Sequence, residues 1–191
     1  MKNKKNRKAV FLDRDGVVIR EVDYLSRPSQ LRFLPGAAAA LRKLNRAGFA
    51  VIVVTNQAAI AKGLLTEDKL RRIHDFFLDR LAKKGGRVDA VYYCPHHPEG
   101  KIAEYKKKCF CRKPQPGMLL RAVRELGLKS RGSFMIGDTT GDILAGSRAG
   151  LTTILVETGH KGKDGKYAAQ PDITVKNLSE AVRVIRSGLK A

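Results

Sequence analysis

Apolar residues fall in short, near-continuous runs along this chain, separated by amphipathic stretches. Lys8–Leu12 (KAVFL) ends at DRDG, residues 49–54 (FAVIVV) end at TNQ, and residues 88–93 (VDAVYY) lead into CPHH. Residues 133–136 (SFMI) end at GD, and residues 152–156 (TTILV) give way to ETGH. Runs of this length, bounded by turn residues, predict strands buried on both faces, as in a parallel sheet. Residues 172–175 predict a short final strand.

Helical spacing fills the gaps. AAAALRKLNRAG has apolar positions at helical spacing, a basic last turn and Gly48 as its stop. Thr66 caps TEDKLRRIHDFFLDRLAKKGG, with Glu67 and Asp68 in its first turn. Further helices are predicted over 117–126, 140–149 and about 179–187. Residues 58–65 and 157–172 (ETGHKGKDGKYAAQPD) read as loops. Strands alternating with helices predict an α/β fold, a mainly parallel sheet with helices on both faces. There is no internal repeat, long linker or insertion big enough for a cap domain. One domain over 1–191 is expected, with a basic N-terminal tail at 1–7 and a cysteine-bearing loop at 94–111.

Composition narrows the class. The chain has 191 residues, 43% hydrophobic and 29% charged, which suits a globular domain. No apolar run approaches the ~20 residues that span a bilayer. MKNKKNRK is basic, but the AVFL that follows is too short for a signal-peptide core. A cytoplasmic protein is expected, working as a monomer. The net charge of +20 favours anionic partners: phosphorylated metabolites, nucleic acid or a membrane surface. Solvated lysines and arginines spread over the surface are the plain alternative.

Polar clusters at strand ends carry the chemistry. Asp13-Arg14-Asp15, Thr55-Asn56, and Asp138 with Asp142 follow their strands, while Arg112-Lys113 closes the cysteine loop. In open α/β sheets, ligands bind outside the carboxyl ends of strands, where such clusters can meet. Four aspartates in one dry pocket would repel one another. A hard divalent cation such as Mg²⁺, shared with phosphate oxygens, relieves this. Thr55, Asn56 and Lys113 suit a phosphoryl group. One carboxylate can attack phosphorus and a second can serve as general acid and then base.

The loop itself presents Cys94-x-His96, twelve residues, then Cys109-x-Cys111. Three sulfurs and an imidazole make a complete Cys₃His shell, and a closed four-ligand Zn²⁺ site is structural. A disulfide would leave one thiol over. Ordinary buried cysteines remain an alternative, and His97 is a spare ligand beside His96.

FLDRDGVV, VVTNQ, RKP and MIGDTTGD together resemble the four motifs of the haloacid dehalogenase (HAD) phosphohydrolase superfamily. The finer pattern in VVTNQAAIAKG, YYCPHHPEG and CFCRKPQPGML resembles its D-glycero-D-manno-heptose 1,7-bisphosphate 7-phosphatases, with the histidinol-phosphate phosphatases sharing much of it. The resemblance implies a Rossmann-like HAD fold and a phosphomonoesterase of ADP-heptose and lipopolysaccharide biosynthesis. It implies Asp13 as nucleophile, Asp15 as acid and base, and Thr55 and Lys113 as phosphoryl clamps. Mg²⁺ would bind Asp13, the Asp15 main-chain carbonyl and Asp138, with Asp142 acting indirectly or orienting Lys113. Arg14, Glu21, Val22, Asp23, Tyr24, Asn56, Gln57, Ala58, Arg112 and Thr139 would contact substrate. Zn²⁺ would bind Cys94, His96, Cys109 and Cys111, the family pattern favouring His96 over His97.

Val17, Ala58, Ala59 and Thr139 depart from the usual family residues, Thr139 standing where lysine is common. Two rivals follow from the charge: a nucleic-acid-binding module and a HAD phosphatase of nucleic-acid ends. The loop has no interleaved aromatics for base stacking and does not match a C₂H₂ finger.

Overall fold

The computed structural model describes residues 6–188. Of the basic tail expected at 1–7, residues 1–5 lie outside the described residues. Six strands form one sheet: β1 (Arg7–Leu12), β2 (Ala50–Asn56), β3 (Ala90–Cys94), β4 (Leu128–Gly137), β5 (Thr152–Val156) and β6 (Ile173–Val175). Their order is β3-β2-β1-β4-β5-β6, and every neighbouring pair is parallel.

Alternation along β1 supplies both cores. Val10 and Leu12 join the residues of α1 (Ala37–Arg46), α3 (Glu67–Lys83) and α6 (Leu178–Ser187). Ala9 and Phe11 face the other side, with α4 (Gly117–Leu126) and α5 (Thr140–Arg148). Successive strand side chains point to opposite faces, so a strand covered twice must be apolar throughout. Val10, Phe11 and Leu12 are accordingly fully buried.

Two elements differ from the sequence expectation. A four-residue helix, α2 (Ala58–Ala61), occupies part of the expected 58–65 loop, burying Ala59, Ile60 and Ala61. β4 starts at Leu128, five residues before the expected start at Ser133, because the register against β1 slips between Lys8 and Val10. Ser133 makes the slip tolerable. Its hydroxyl accepts the Ala9 N–H at 2.7 Å and donates to the Lys129 carbonyl, so the ladder leaves no orphan there.

The order places a crevice. From β1 the chain builds outward to β2 and β3, then returns to lay β4 on the other side of β1. The loops after β1 and β4 diverge from that switch point, which is where α/β sheets bind ligands.

Candidate active site

Asp13 follows the last residue of β1, and its N–H is held by the Ile136 carbonyl of β4 at 3.0 Å. The sheet therefore fixes the Asp13 backbone. Lys113 arrives from the cysteine loop only 6% exposed, with all three donors of its ammonium used. Its Nζ lies 2.8 Å from Asp13 Oδ1, 2.6 Å from Asp142 Oδ1 and 2.8 Å from the Val54 carbonyl at the end of β2. Burial alone would lower the Lys113 pKa, but Asp13 and Asp142 outweigh it and raise it.

The carboxylates outnumber that ammonium. Burial pushes Asp13 well above its ordinary value, with Asp142 and Asp138 adding to the rise against the pull of Lys113. Burial and the charge of Asp142 push Asp138 up to about 8. Asp138 Oδ2 accepts the His160 N–H at 2.7 Å, yet its Oδ1 is buried with no hydrogen-bond partner. A buried carboxylate oxygen without a partner, in a group where Asp13, Asp138 and Asp142 each bring one oxygen within 4.8 Å of the others, suits a cation. Both oxygens of Asp142 are engaged, one by Lys113 and the other by the N–H and hydroxyl of Thr139. Asp142 thus bonds Lys113 and Thr139, while Asp138 keeps one oxygen without a partner.

Backbone crowds these carboxylates. A Cβ on Gly16 would stand 2.4 Å from Asp138 Oδ2, one on Gly159 2.1 Å from the same atom, and one on Gly137 2.1 Å from Asp142 Cβ. Gly16 and Gly159 also hold positive φ, 77° and 59°, which glycine adopts without strain.

Asp15 is gripped from behind. Arg14 is 1% exposed and donates from Nε and Nη2 to both Asp15 oxygens, at 2.8 to 3.3 Å. The Gln57 amide donates to Asp15 Oδ2 at 3.2 Å and to Thr55 Oγ1 at 2.8 Å. Asn56 uses both ends of its amide on the Lys113 backbone, each at 3.1 Å. Arg14, Asn56 and Thr139, expected to touch substrate, therefore spend these polar groups on Asp15, Lys113 and Asp142.

All the residues named above from the sequence as catalytic, Mg²⁺-binding or substrate-binding line one cleft of about 360 Å³. Glu21 to Leu25 form part of the wall. Burial, then Asp15 and Asp13, push Glu21 up to about 8. Tyr24 sits at φ 53° with its hydroxyl bonded to Lys62. The sequence reading missed His160, Asp164, Lys166 and Tyr167, which line the cleft from the polar segment after β5. Asp164 secures that segment by accepting the N–H and hydroxyl of Thr140, both at 2.8 Å, at the start of α5. The signal was available: the segment begins at the carboxyl end of a strand, the same edge that marked the other clusters.

The second metal-like cluster lies beside the first. Cys94, His96, Cys109 and Cys111 bring one ligand atom each within 4.8 Å of the rest. Sulfur–sulfur distances are 3.1, 3.3 and 3.5 Å, and His96 Nδ1 is 3.4 Å from Cys111. The cysteines are free thiols. Four ligands at the usual Zn–S and Zn–N lengths would stand roughly 3.5 Å apart, so the set fits one tetrahedral ion. The Cys94–Cys111 contact pulls Cys111 down to about 5 and pushes Cys94 up, and burial pushes Cys109 up, so the thiolate character falls on Cys111. His97 turns away and accepts the Glu99 N–H at 3.1 Å, so His96 is the imidazole in the set. Among the described residues, no helix is long and apolar enough to cross a membrane.

Comparison with known proteins agrees with this geometry. Residues 110–181 match the HAD-hydrolase-like family. A Pasteurella multocida protein named D-glycero-beta-D-manno-heptose-1,7-bisphosphate 7-phosphatase is 41% identical, covering 97% of this chain and all of that protein. A Photorhabdus laumondii protein named for the alpha anomer is 38% identical over 80% of this chain and 84% of its own length. The crystal structure of D,D-heptose 1,7-bisphosphate phosphatase from B. bronchiseptica, complexed with magnesium and phosphate, superposes with a TM-score of 0.85 at 33% identity, covering 95% and 99% of the two chains. With the strand-end carboxylates and the Cys₃His loop in this arrangement, the chain belongs to the HAD-type heptose-bisphosphate phosphatase family and is a phosphoric monoester hydrolase.

Proposed function

We propose that this chain hydrolyses the 7-phosphate ester of D-glycero-D-manno-heptose 1,7-bisphosphate through an aspartyl-phosphate on Asp13. The carrying observation is the floor of the cleft, where the Asp13 carboxylate meets a saturated Lys113 ammonium beside the unpartnered oxygen of Asp138. The names of the relatives supply the sugar.

In the first half-reaction an Asp13 oxygen attacks phosphorus and the bond from phosphorus to the sugar oxygen breaks. Asp15 gives its proton to that oxygen. In the second half-reaction Asp15, now a carboxylate, takes a proton from water, whose oxygen attacks phosphorus. The Asp13–phosphorus bond breaks, releasing phosphate and restoring both residues. Arg14 and Gln57 fix the Asp15 carboxyl throughout. Thr55 donates to an equatorial oxygen, and the Lys113 ammonium beside Asp13 neutralises charge as it spreads over the phosphoryl group. Mg²⁺, held by Asp13, Asp138 and the Asp15 main-chain carbonyl, supplies charge neutralisation at the phosphoryl group. Zn²⁺ at Cys94, His96, Cys109 and Cys111 fixes the loop that delivers Arg112 and Lys113. We place the reaction in the cytoplasm, carried out by a monomer on a small phosphorylated sugar rather than on nucleic acid.

The test is a phosphate-release screen over both heptose bisphosphate anomers, fructose 1,6-bisphosphate and histidinol phosphate, with and without Mg²⁺. Heptose bisphosphate should be the best substrate and chelation should stop turnover. Asp13→Asn should keep the fold and lose turnover; full activity in that variant would remove the covalent mechanism.

A further inference from the structure

His74 is a buried polar side chain that the steps above do not use. It lies on the stripe of α3 that also buries Leu70, Ile73, Phe77 and Leu81. That helical spacing faces the core, and its other members are apolar. An imidazole buried there needs a polar partner. It has one, because Nε2 lies 3.0 Å from Arg14 Nη1. A guanidinium only donates, so the imidazole accepts and is neutral.

The identity of that partner gives the contact its reach. Arg14 turns its other edge, Nε and Nη2, onto both oxygens of Asp15. A guanidinium is planar, and its N–H groups point in fixed directions. Held at two edges, it can neither rotate nor slide along the Asp15 carboxyl. The Nη1 edge is held firmly because His74 is itself fixed. Leu70, Ile73, Phe77 and Leu81 pack its helix into the core. The imidazole stands 5.9 Å from the ring of Tyr93 on β3, and the Tyr93 hydroxyl donates to Glu67 Oε2 at 3.0 Å, in the first turn of the same helix. Rigid elements behind the site thus reach Asp15 through two side chains, His74 and Arg14. The remaining contacts to Asp15 come from neutral groups, the Gln57 amide at 3.2 Å and the Thr55 hydroxyl at 3.5 Å. Charge-assisted forks are the stronger constraint. Being neutral, the imidazole orients Arg14 without adding a second positive charge near Asp15. That suits a carboxyl that must be protonated in one half-reaction and ionised in the other.

We propose that His74 is a positioning residue for the general acid and base, holding Arg14 in the plane that presents the Asp15 carboxyl to the leaving oxygen and then to water. The inference rests on the reading of Asp15 as that acid and base. His74 is not among the residues that line the cleft. It acts through Arg14 and moves no proton itself.

The test varies the leaving group. Heptose 1,7-bisphosphate loses a sugar alkoxide, which needs a proton as it departs, whereas 4-nitrophenyl phosphate loses a phenolate that is stable without one. His74→Ala should lower kcat/KM for the sugar ester about tenfold, through kcat more than KM, and leave that for the aryl ester close to wild type. His74→Gln, which can accept from Arg14, should restore the sugar ester. Asp15→Asn should discriminate between the esters in the same direction, by about a hundredfold. An equal loss on both esters in His74→Ala, no loss at all, or a glutamine that does not restore the sugar ester overturns the positioning role. Asp15→Asn separates this inference from the reading beneath it. If that variant treats the two esters alike, the acid role of Asp15 falls and the inference with it. If it discriminates and His74→Ala does not, the inference alone falls. A crystal structure of His74→Ala reads the geometry without turnover: Arg14 should lose its two-pronged grip on Asp15, and an unmoved fork overturns the proposal.

Discussion

At the scale of the residue, the motifs say which side chains gather and are silent on which atoms are already taken. Asn56 and Arg14 were legible as members of the site because they flank Thr55 and Asp13. Their bonds to Lys113 and Asp15 were not, since those contacts depend on where two other loops come to rest. His74 carried no signal at all: it is one more residue of an amphipathic helix. In the fold it is 7% exposed and accepts from Arg14 Nη1 at 3.0 Å. A guanidinium only donates, so Nε2 must hold a lone pair and the imidazole must be neutral. Burial, with help from the Arg14 charge, lowers its pKa to about 3. An unfolded histidine titrates near ~6.5. Between those values the unfolded chain binds a proton that the folded chain refuses, so stability falls as pH drops from about 6.5 toward 3. By pH ~4.5 the loss is on the order of 2 kcal/mol. Glutamine at this position can accept from Arg14 without titrating. The melting temperature of His74→Gln should therefore fall less than that of wild type between pH 7 and about 4.5; an equal fall in both would show that His74 does not set the acid limit.

Elements differ in how openly the sequence declares them. The inner strands β1, β2 and β5 were plain because both faces are buried, leaving no polar alternation to confuse them. The start of β4 was hidden: Leu128–Gly132 pairs only through a slip that Ser133 repairs, a tertiary device with no local pattern. The two loops of the site make the sharper contrast. The loop at 94–111 announced itself by ligand spacing. The segment after β5 is merely polar and rich in glycine, yet it binds Asp138 through the N–H of His160 and that of Gly162 to the Asp138 carbonyl. For the cysteine loop the consequence is measurable. Its end segment is stitched to the core twice, by Arg112 to the His96 carbonyl and by Asn56 to the Lys113 backbone. Highly charged and poor in apolar side chains, the loop does not order itself by burial. Removing Zn²⁺ with a chelator that leaves Mg²⁺ bound should raise KM for the bisphosphate several-fold and lower the melting temperature, because Arg112 and Lys113 lose their fixed approach. Unaltered kinetics in zinc-free protein would reduce the metal to a staple of the fold.

At the scale of the molecule, the net charge of +20 acquires a place. Helices that follow parallel strands run back across the sheet, so their last turns gather at the edge opposite the cleft. Those turns carry Lys43 and Arg46 of α1, Arg80 and Lys83 of α3, Arg124 of α4, Arg148 of α5 and Arg186 of α6. First turns, on the cleft side, carry Glu67, Asp68, Asp142 and Glu180. Each placement complements a helix dipole, and together they make the far pole basic. Salt at about 0.1 M screens charge beyond about 10 Å, so that pole contributes little to guiding a small anion into the cleft. It can hold a polyanion loosely instead. Duplex DNA should retard the protein in a gel at about 20 mM salt and release it by about 0.15 M, the steep dependence expected when phosphate counterions are exchanged. At the lower salt, the bound DNA should leave phosphate release from the bisphosphate at its free rate, since the two anions occupy opposite ends. Competitive inhibition by DNA would mean that the polymer enters the cleft, and a shift that survives well above 0.15 M would mean that nucleic acid is a partner in its own right.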